Sequence, residues 1–154
     1  MSSPHHLDEP GAPLLFASGA PGLVVTDVDS TLIAQEVIEE LAEAAGTREQ
    51  VAAVTARAMN GELDFAESLR ERVATLRGVP HSVFADVLAR VTPTKGTREL
   101  IDAVHAAGGH FGVVSGGFEE VVAPLAASLG IDFYAANRLE VVDGYLTGRV
   151  LGRI

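Results

Sequence analysis

The 154-residue chain contains no cysteine, and its basic side chains are far fewer than its acidic ones. Without cysteine there is no disulfide framework, no thiolate nucleophile and no cysteine zinc site. The 11 Lys and Arg against 21 Asp and Glu give a net charge of −10. That charge excludes nucleic acid and anionic membranes as expected partners. An anionic ligand would need local help from a metal ion, backbone N–H groups or a placed arginine.

Long hydrophobic runs are also absent from the sequence. No apolar stretch reaches the roughly 20 residues of a membrane-spanning helix. The first residues lack the basic start of a signal peptide, so we expect a cytoplasmic protein. The length and the 47% hydrophobic content predict one packed domain with room for a small insert.

The stretch LVVTDVDSTL, residues 23–32, carries the first chemical signal. An apolar run of strand length ends in Asp27 and Asp29, and side chains alternate along a strand, so both carboxylates project to the same side. Such a pair suits a reaction with one carboxylate as nucleophile and the other as proton shuttle, with a divalent cation between them. An Asp-rich turn or helix cap is the structural alternative. The buried strand before the acids and Ser-Thr-Leu after them favour the chemical interpretation.

Helical periodicity predicts four consecutive helices from about residue 35 to residue 91, before the next strand. Capping boxes are predicted at Thr47 and Asp64, and Pro80 is predicted to open the fourth helix. A direct crossover between parallel strands needs only one helix. The excess predicts a helical insert over the C-terminal end of the first strand, where open α/β sheets bind ligands.

A second motif follows the strand predicted at residues 111–114. Ser115-Gly116-Gly117 leads into a helix predicted at 118–129, so backbone N–H groups, a hydroxyl and a helix N-terminus could together bind phosphate. Gly-rich turns are common, however, and an N-cap is a sufficient structural reason for Ser115. The motif gains weight because its strand would lie beside the two acids in a doubly wound sheet. Beyond it we predict a strand at 132–135 and a hairpin around Asp143-Gly144 with arms at 138–142 and 145–150.

Four residues of the predicted insert have simple structural interpretations. Glu36 lies in the first turn of a helix, where the helix dipole favours an acid. Arg72 has Glu67 and Glu71 nearby, which is typical of a solvated ion pair. Met59 and Phe65 are most simply core residues of the insert.

With these motifs, the chain resembles the phosphoserine phosphatases of the haloacid dehalogenase superfamily. The resemblance covers about residues 23–154 and includes D-V-D-S-T-L, A-M-N-G-E-L-D-F, S-L-R-E-R-V, V-V-S-G-G-F, A-N-R-L-E and D-G-Y-L-T-G. It implies an α/β, Rossmann-like three-layer core formed by residues 21–33 and 92–154. Residues 34–91 would form an inserted four-helix cap, and residues 1–20 a flexible tail.

The resemblance also implies a reaction, the last step of serine biosynthesis. O-phospho-L-serine would be hydrolysed to L-serine and phosphate through an aspartyl-phosphate, with Mg²⁺ as cofactor. Asp27 would be the nucleophile and a metal ligand. Asp29 would protonate the leaving oxygen, activate the hydrolytic water and offer its backbone carbonyl to the metal. Ser115 and Gly116 would hold the phosphoryl oxygens.

The cap would supply the recognition of the amino acid. The resemblance implies that Glu36 meets the substrate ammonium and that Arg72, with its fork-shaped guanidinium, meets the carboxylate. Met59 and Phe65 would wall the pocket.

The family pattern continues beyond Ile154, with a lysine that neutralises phosphate and a G-D-G-x-N-D-type strand end that supplies a further metal ligand. Lys95 cannot replace that lysine, because it precedes the Ser-Gly-Gly motif. We therefore expect a truncated chain, with Leu23–Thr26 as an unprotected apolar edge strand that pairs readily, for example in a homodimer. Three alternatives stay open: a non-catalytic protein that binds a phosphorylated metabolite, a fragment that requires its complement, and a phosphatase or phosphotransferase for another small phosphomonoester.

Overall fold

A four-stranded sheet organises the chain in the computed structural model, which describes residue 19 and residues 22–152. In order across the sheet the strands are β1 (Leu23–Thr26), β2 (His110–Phe118), β3 (Phe133–Val142) and β4 (Tyr145–Leu151). The first three are parallel, and β4 runs antiparallel to β3. The predicted tail, residues 1–20, lies outside the described residues apart from Gly19.

Six α-helices accompany the sheet within the described residues: α1 (Val37–Ala45), α2 (Arg48–Met59), α3 (Phe65–Ala74), α4 (Val83–Arg90), α5 (Thr97–Ala106) and α6 (Glu119–Leu129). The first five lie between β1 and β2, the first four of them are the helices that the periodicity predicts for residues 35–91, and the α/β fold class is confirmed. An irregular helical turn, Val28–Leu32, connects β1 to this insert.

The predicted capping boxes have different outcomes. Asp64 accepts a hydrogen bond from the Glu67 N–H at 2.8 Å, and Glu67 accepts one from the Asp64 N–H at 3.0 Å, which confirms the box that begins α3. Within the described residues Thr47 makes no side-chain cap bond, so the box predicted there is wrong. The reason is tertiary, because the Thr47 hydroxyl instead lies within hydrogen-bond distance of the Thr75 hydroxyl, at 3.2 Å.

The start of α4 also differs from the prediction. The helix begins at Val83, and Pro80 forms a β-bridge with Tyr145 of β4 instead of opening the helix. Proline has no N–H to donate, so it fits an extended segment at the edge of a sheet as well as a first helical turn.

Two strands are longer than the sequence predicts. Strand β2 continues through Ser115 to Phe118, and β3 is one continuous strand where two separate pieces were predicted. Phe118 pairs with Asn137 after a register shift that begins at Val114, so the Ser-Gly-Gly segment forms a bulge within the ladder. The hairpin between β3 and β4 is confirmed, with φ of 54° at Asp143 and 84° at Gly144.

The two faces of the sheet differ in burial. Helices α5 and α6 pack on the sheet, and Phe111 and Val113 beneath them are fully buried. On the opposite face Leu23 is 54% exposed, Val25 46% and Val114 55%. Strand β1 pairs only with β2 in the described part of the chain, so it is the apolar edge that the sequence predicts.

The segments that enter and leave the helical insert run antiparallel, side by side, and their backbones are hydrogen-bonded to each other. Ile33 forms a β-bridge with Pro93, and the Ala34 N–H donates to the Thr92 carbonyl at 3.0 Å. The predicted limits of the cap, residues 34–91, fall where these two segments pair, although the division into two domains stays a prediction. None of the helices described here is long and apolar enough to cross a membrane.

Candidate active site

The turn after β1 arranges the acidic residues. Asp27 is the N-cap of the turn and accepts a hydrogen bond from the Val28 N–H at 2.7 Å. Val28 is fully buried, which anchors the turn against the core. Ser30 adopts a left-handed conformation, with φ of 55°, and its hydroxyl donates to Glu36 at 3.1 Å. The reversal therefore brings an acid of the cap back beside Asp27 and Asp29.

Asp29 has the most perturbed environment of this group. Burial raises its pKa to about 7, and the negative charges of Glu36 and Asp27 act in the same direction. A hydrogen bond from the Val37 N–H and the positive charge of Arg72 partly oppose the shift. Its buried Oδ1 has no hydrogen-bond partner among the described residues. A carboxyl group with this pKa is present in both protonation states near neutral pH and can give or take a proton.

The Ser-Gly-Gly segment lies against the acidic turn. The Ser115 hydroxyl oxygen accepts a hydrogen bond from the Gly117 N–H at 2.9 Å, which leaves its own proton available to a ligand. A Cβ atom at Gly117 would lie 3.7 Å from one carboxylate oxygen of Asp29 and 3.8 Å from the other. The two motifs that the sequence separates by about 90 residues therefore form one site.

The structural alternative for Ser115 is wrong, and its role in a phosphate cradle stays a prediction. The N-cap of α6 is Phe118, so Ser115 does not cap the helix. The first turn of α6 also carries Glu119 and Glu120, which offset the positive end of the helix dipole.

Asn137 is a residue of this site that the sequence patterns do not single out. Its side-chain amide donates to the Gly116 carbonyl at 3.1 Å, and the residue is only 2% exposed. The bond orients the peptide unit of Gly116 in the bulge, where the ladder with β3 is interrupted. In the sequence, Asn137 stands out only as part of the A-N-R-L-E motif. Its contact with the bulge of β2 could not be predicted from residue spacing, because the two strands are far apart in the chain.

Arg72 projects from α3 toward the same site. Its Nε donates to the Ser68 carbonyl at 3.2 Å, and burial lowers its pKa, against the opposing charges of Glu36 and Asp29. The simple ion pair suggested by the sequence does not form. Glu71 binds Arg57 at 2.7 Å, and Glu67 is held in the capping box. Among the described residues no salt bridge engages the Arg72 guanidinium, so its terminal nitrogens are available to an anion.

Phe65 closes the site from the cap. Its ring lies over Gly116 so closely that a Cβ atom there would be 2.7 Å from the Phe65 Cζ. Glycine at this position therefore allows the cap and the bulge to approach each other.

A cavity of about 180 Å³ contains most of the predicted site residues. Of those proposed, it is lined by Asp27, Asp29, Glu36, Phe65, Arg72, Ser115 and Gly116. Ile38, Leu69, Gly117 and Phe118 complete its lining, and the sequence did not assign them to the site. Among the described residues Met59 is the predicted site residue that this cavity does not include. It is 84% exposed and lines a neighbouring cavity with Phe65 and Arg72, so its role as a pocket wall stays a prediction.

The donor atoms of the site fit a small divalent cation. Asp27 and Asp29 offer carboxylate and carbonyl oxygens, which Mg²⁺ prefers, and the buried Asp29 Oδ1 has no hydrogen-bond partner among the described residues. No group of three or more His, Cys, Asp or Glu in the described part of the chain is arranged to hold a metal ion. Mg²⁺ usually keeps several waters and uses one or two carboxylates, so this donor set still fits it.

Comparison with known proteins places the chain in a family. A family model described as haloacid dehalogenase-like hydrolase matches residues 24–153. The chain belongs to this family. A phosphoserine phosphatase from Streptococcus thermophilus is 55% identical over 137 residues, which are 89% of this chain and 64% of that protein.

Two solved structures have the same fold. One is a phospho-aspartyl intermediate analogue of phosphoserine phosphatase, with a TM-score of 0.79, 43% identity, and coverage of 86% of this chain and 64% of that one. The other is a substrate-bound phosphoserine phosphatase complex, with a TM-score of 0.80, 41% identity, and coverage of 88% and 64%. The fold expected from the resemblance is confirmed. The chain spans less than two thirds of the length of these relatives.

Proposed function

We propose that this site hydrolyses O-phospho-L-serine to L-serine and phosphate, with Mg²⁺ as cofactor. One observation carries the proposal: a single cavity contains the two acids of the turn, the Ser-Gly-Gly bulge, and an acid and an arginine of the cap. These groups match the phosphate, ammonium and carboxylate of the substrate. The relative from S. thermophilus, which is named a phosphoserine phosphatase, supports the same assignment.

The groups of the core supply the chemistry of the proposal. The Asp27 carboxylate attacks phosphorus, the bond from phosphorus to the serine oxygen breaks, and protonated Asp29 gives that oxygen its proton. Ionised Asp29 then takes a proton from a water molecule. The water oxygen attacks phosphorus and releases phosphate from Asp27. A pKa of about 7 suits Asp29 to both steps.

The bulge stabilises negative charge in this reaction, and a bound Mg²⁺ would add to that effect. The Ser115 hydroxyl and the backbone at Gly116 bind the phosphoryl oxygens. The Asp27 carboxylate and the Asp29 carbonyl are the groups that would hold Mg²⁺, which would offset the charge on the phosphate.

The groups of the cap determine substrate specificity. Arg72 has no protein carboxylate partner among the described residues and binds the substrate carboxylate, and Glu36 binds the ammonium. A small phosphomonoester without these groups would use only half of the site. The place in serine biosynthesis and the cytoplasmic location stay predictions that follow from this substrate.

The test is phosphate release from O-phospho-L-serine by the 154-residue chain with Mg²⁺, beside Asp27→Asn. Release that falls roughly 10³-fold or more in the variant supports the proposal, because the nucleophile is lost. Asp86→Asn, the same change on an exposed part of α4, is the matched control. Equal release from Asp27→Asn and the wild type overturns the assignment of the nucleophile.

A second candidate function is binding of a phosphorylated metabolite without catalysis, by a chain whose edge strand β1 pairs with a second chain. The exposed Leu23 and Val25 on β1 favour this pairing, because an apolar edge pairs readily with a second chain. A homodimer is the partner that we propose there. Calorimetric binding of O-phospho-L-serine without phosphate release supports this candidate, and release by the monomer excludes it.

A further inference from the structure

The connector between α3 and α4 pairs with β4 through its backbone. The Gly78 N–H donates to the Leu146 carbonyl at 2.8 Å, and the Leu146 N–H donates to the Val79 carbonyl at 2.8 Å. The His81 N–H donates to the Gly144 carbonyl at 2.9 Å. We call this pairing of residues 78–81 with residues 144–146 the seam. It attaches the helical insert to the β3–β4 hairpin, far along the chain from the bridge between Ile33 and Pro93.

Side chains strengthen the seam. The His81 Nδ1 lies 3.1 Å from the same Gly144 carbonyl, and a carbonyl can only accept, so Nδ1 carries the proton. Leu146 is 2% exposed, and Leu76 at the end of α3 is fully buried. Paired backbone and buried apolar groups make the seam a rigid attachment rather than a loose contact.

Beyond the seam, β4 contacts the last turn of α3 directly. A Cβ atom at Gly148 would lie 3.1 Å from the Arg77 Cβ, 3.3 Å from the Ala74 carbonyl oxygen and 3.4 Å from the Ala74 Cα. Two of these three neighbours are backbone atoms of the helix. The glycine therefore allows the helix and the strand to approach closely, and it sets the position of the C-terminal end of α3.

Arg72 lies on this part of α3, two residues before Ala74. Its Nε binds the Ser68 carbonyl one turn earlier, so its guanidinium moves with the helix. The other end of α3 is fixed where Phe65 lies on Gly116. The position of the arginine in the cavity thus depends on the contact between Gly148 and the helix.

We propose that Gly148 and the seam are positioning elements for Arg72 that set recognition of the substrate carboxylate. The inference rests on the proposed function, in which Arg72 binds that carboxylate. The acids of the turn and Ser115 lie at the ends of β1 and in β2, which the seam does not include. A shift of the C-terminal end of α3 therefore weakens the contact with the carboxylate and leaves the contacts with the phosphate in place.

The first experiment compares Gly148→Ala with Gly108→Ala in binding two ligands. Gly148 has φ of +87° and Gly108 has φ of +82°, so both variants carry the same backbone strain. Only Gly148 has described atoms within 4 Å of the new Cβ. The ligands are O-phospho-L-serine and O-phosphoethanolamine, which keeps the phosphate and ammonium and lacks the carboxylate.

We expect Gly148→Ala to weaken binding of O-phospho-L-serine roughly tenfold or more, since small misplacements of a binding group are costly. Binding of O-phosphoethanolamine stays within about twofold, and Gly108→Ala changes neither ligand. Equal losses for both ligands, or the same discrimination in Gly108→Ala, overturn the inference. If Gly148→Ala does not fold, His81→Ala replaces it. This variant should also weaken binding of O-phospho-L-serine more than binding of O-phosphoethanolamine, but by a smaller factor.

A second readout does not depend on the proposed function. The Arg72 Nε–H signal in an NMR spectrum, assigned by its loss in Arg72→Lys, reports the bond to the Ser68 carbonyl. We expect this signal to shift and to exchange faster in the Gly148 variant than in the Gly108 variant. An unchanged signal overturns the inference. If the wild type binds no O-phospho-L-serine, the proposed function fails, and the signal still decides whether the seam positions Arg72.

Discussion

The core and cap sides of the site are built in different ways. On the core side Asp27 and Asp29 follow the end of β1, Ser115 lies in the bulge of the adjacent parallel strand β2, and the register of Thr26 with Val113 places the two motifs side by side. On the cap side Arg72 reaches the cavity from a helix that is held by distant contacts. The comparison teaches that phosphate chemistry and substrate choice depend on separate parts of the fold. Variants should therefore separate into a class that affects every phosphomonoester and a class that affects phosphoserine alone.

The largest separation is expected from Arg72→Ala. Loss of a charge-assisted, bidentate contact costs about 3 kcal/mol, so affinity for O-phospho-L-serine falls roughly 10²-fold. Affinity for O-phosphoethanolamine stays within about threefold, because that ligand has no carboxylate. Calorimetry with both ligands measures the difference, and Arg70→Ala, an exposed arginine on the same helix, is the control. Equal losses for the two ligands would mean that Arg72 does not recognise the carboxylate.

Asn137→Leu tests the opposite class. The leucine side chain has no N–H for the Gly116 carbonyl, so the bulge loses the bond that orients it. An unsatisfied buried group costs about 1–3 kcal/mol, which predicts a roughly tenfold loss of affinity for both ligands and for inorganic phosphate. Titration of the three ligands checks this expectation. A loss confined to O-phospho-L-serine would break the division between core and cap.

A pH-dependent change in stability is expected from Asp29→Asn, measured with EDTA present. The folded-state pKa of Asp29 is raised from 3.8 to about 7, so its ionisation destabilises the folded chain as pH rises through that window. Asparagine cannot ionise, and its carbonyl can still accept from the Val37 N–H. The variant should therefore melt higher than the wild type by several degrees at pH 8 and by less at pH 5. The same difference at both pH values would contradict the raised pKa.

The smallest effect is expected on the open face of the core. Val25→Lys places a charge on the exposed edge strand and should weaken self-association of the chain roughly fivefold. Sedimentation at increasing protein concentration measures the dissociation constant. Met59→Lys, the same kind of change at an exposed site of the cap, is the control and should leave the constant unchanged. A wild type that stays monomeric at all concentrations would exclude the proposed homodimer.

Much of the core side was predictable because its signals are local. Asp27 and Asp29 follow a four-residue strand with three apolar residues, and alternation along a strand puts them on one side without any tertiary information. The Ser-Gly-Gly motif was also visible, but its conformation was not. Strand β2 extends through it because Asn137 of β3 continues the ladder at Phe118, and that pairing spans about 19 residues.

The cap side was less predictable from the sequence. Local spacing favoured an ion pair between Arg72 and Glu71, but Arg57 of α2 takes that carboxylate because α2 packs against α3. Thr47 failed as a cap for a similar reason, since its hydroxyl meets Thr75. Side chains with several competing partners are decided by packing, which a pattern within one helix does not contain.

Periodicity, glycines and side-chain alternation act over a few residues, so the presence of the helices, the parallel strands and the acidic turn could be inferred from the sequence alone. The same holds for the chemical groups that the chain has available. The lack of a carboxylate partner for Arg72 within the described residues, the contact of Phe65 with Gly116 and the contact of Gly148 with α3 depend on tertiary packing. These contacts join residues far apart in the chain, and their geometry exists only when the sheet and the helices have packed together.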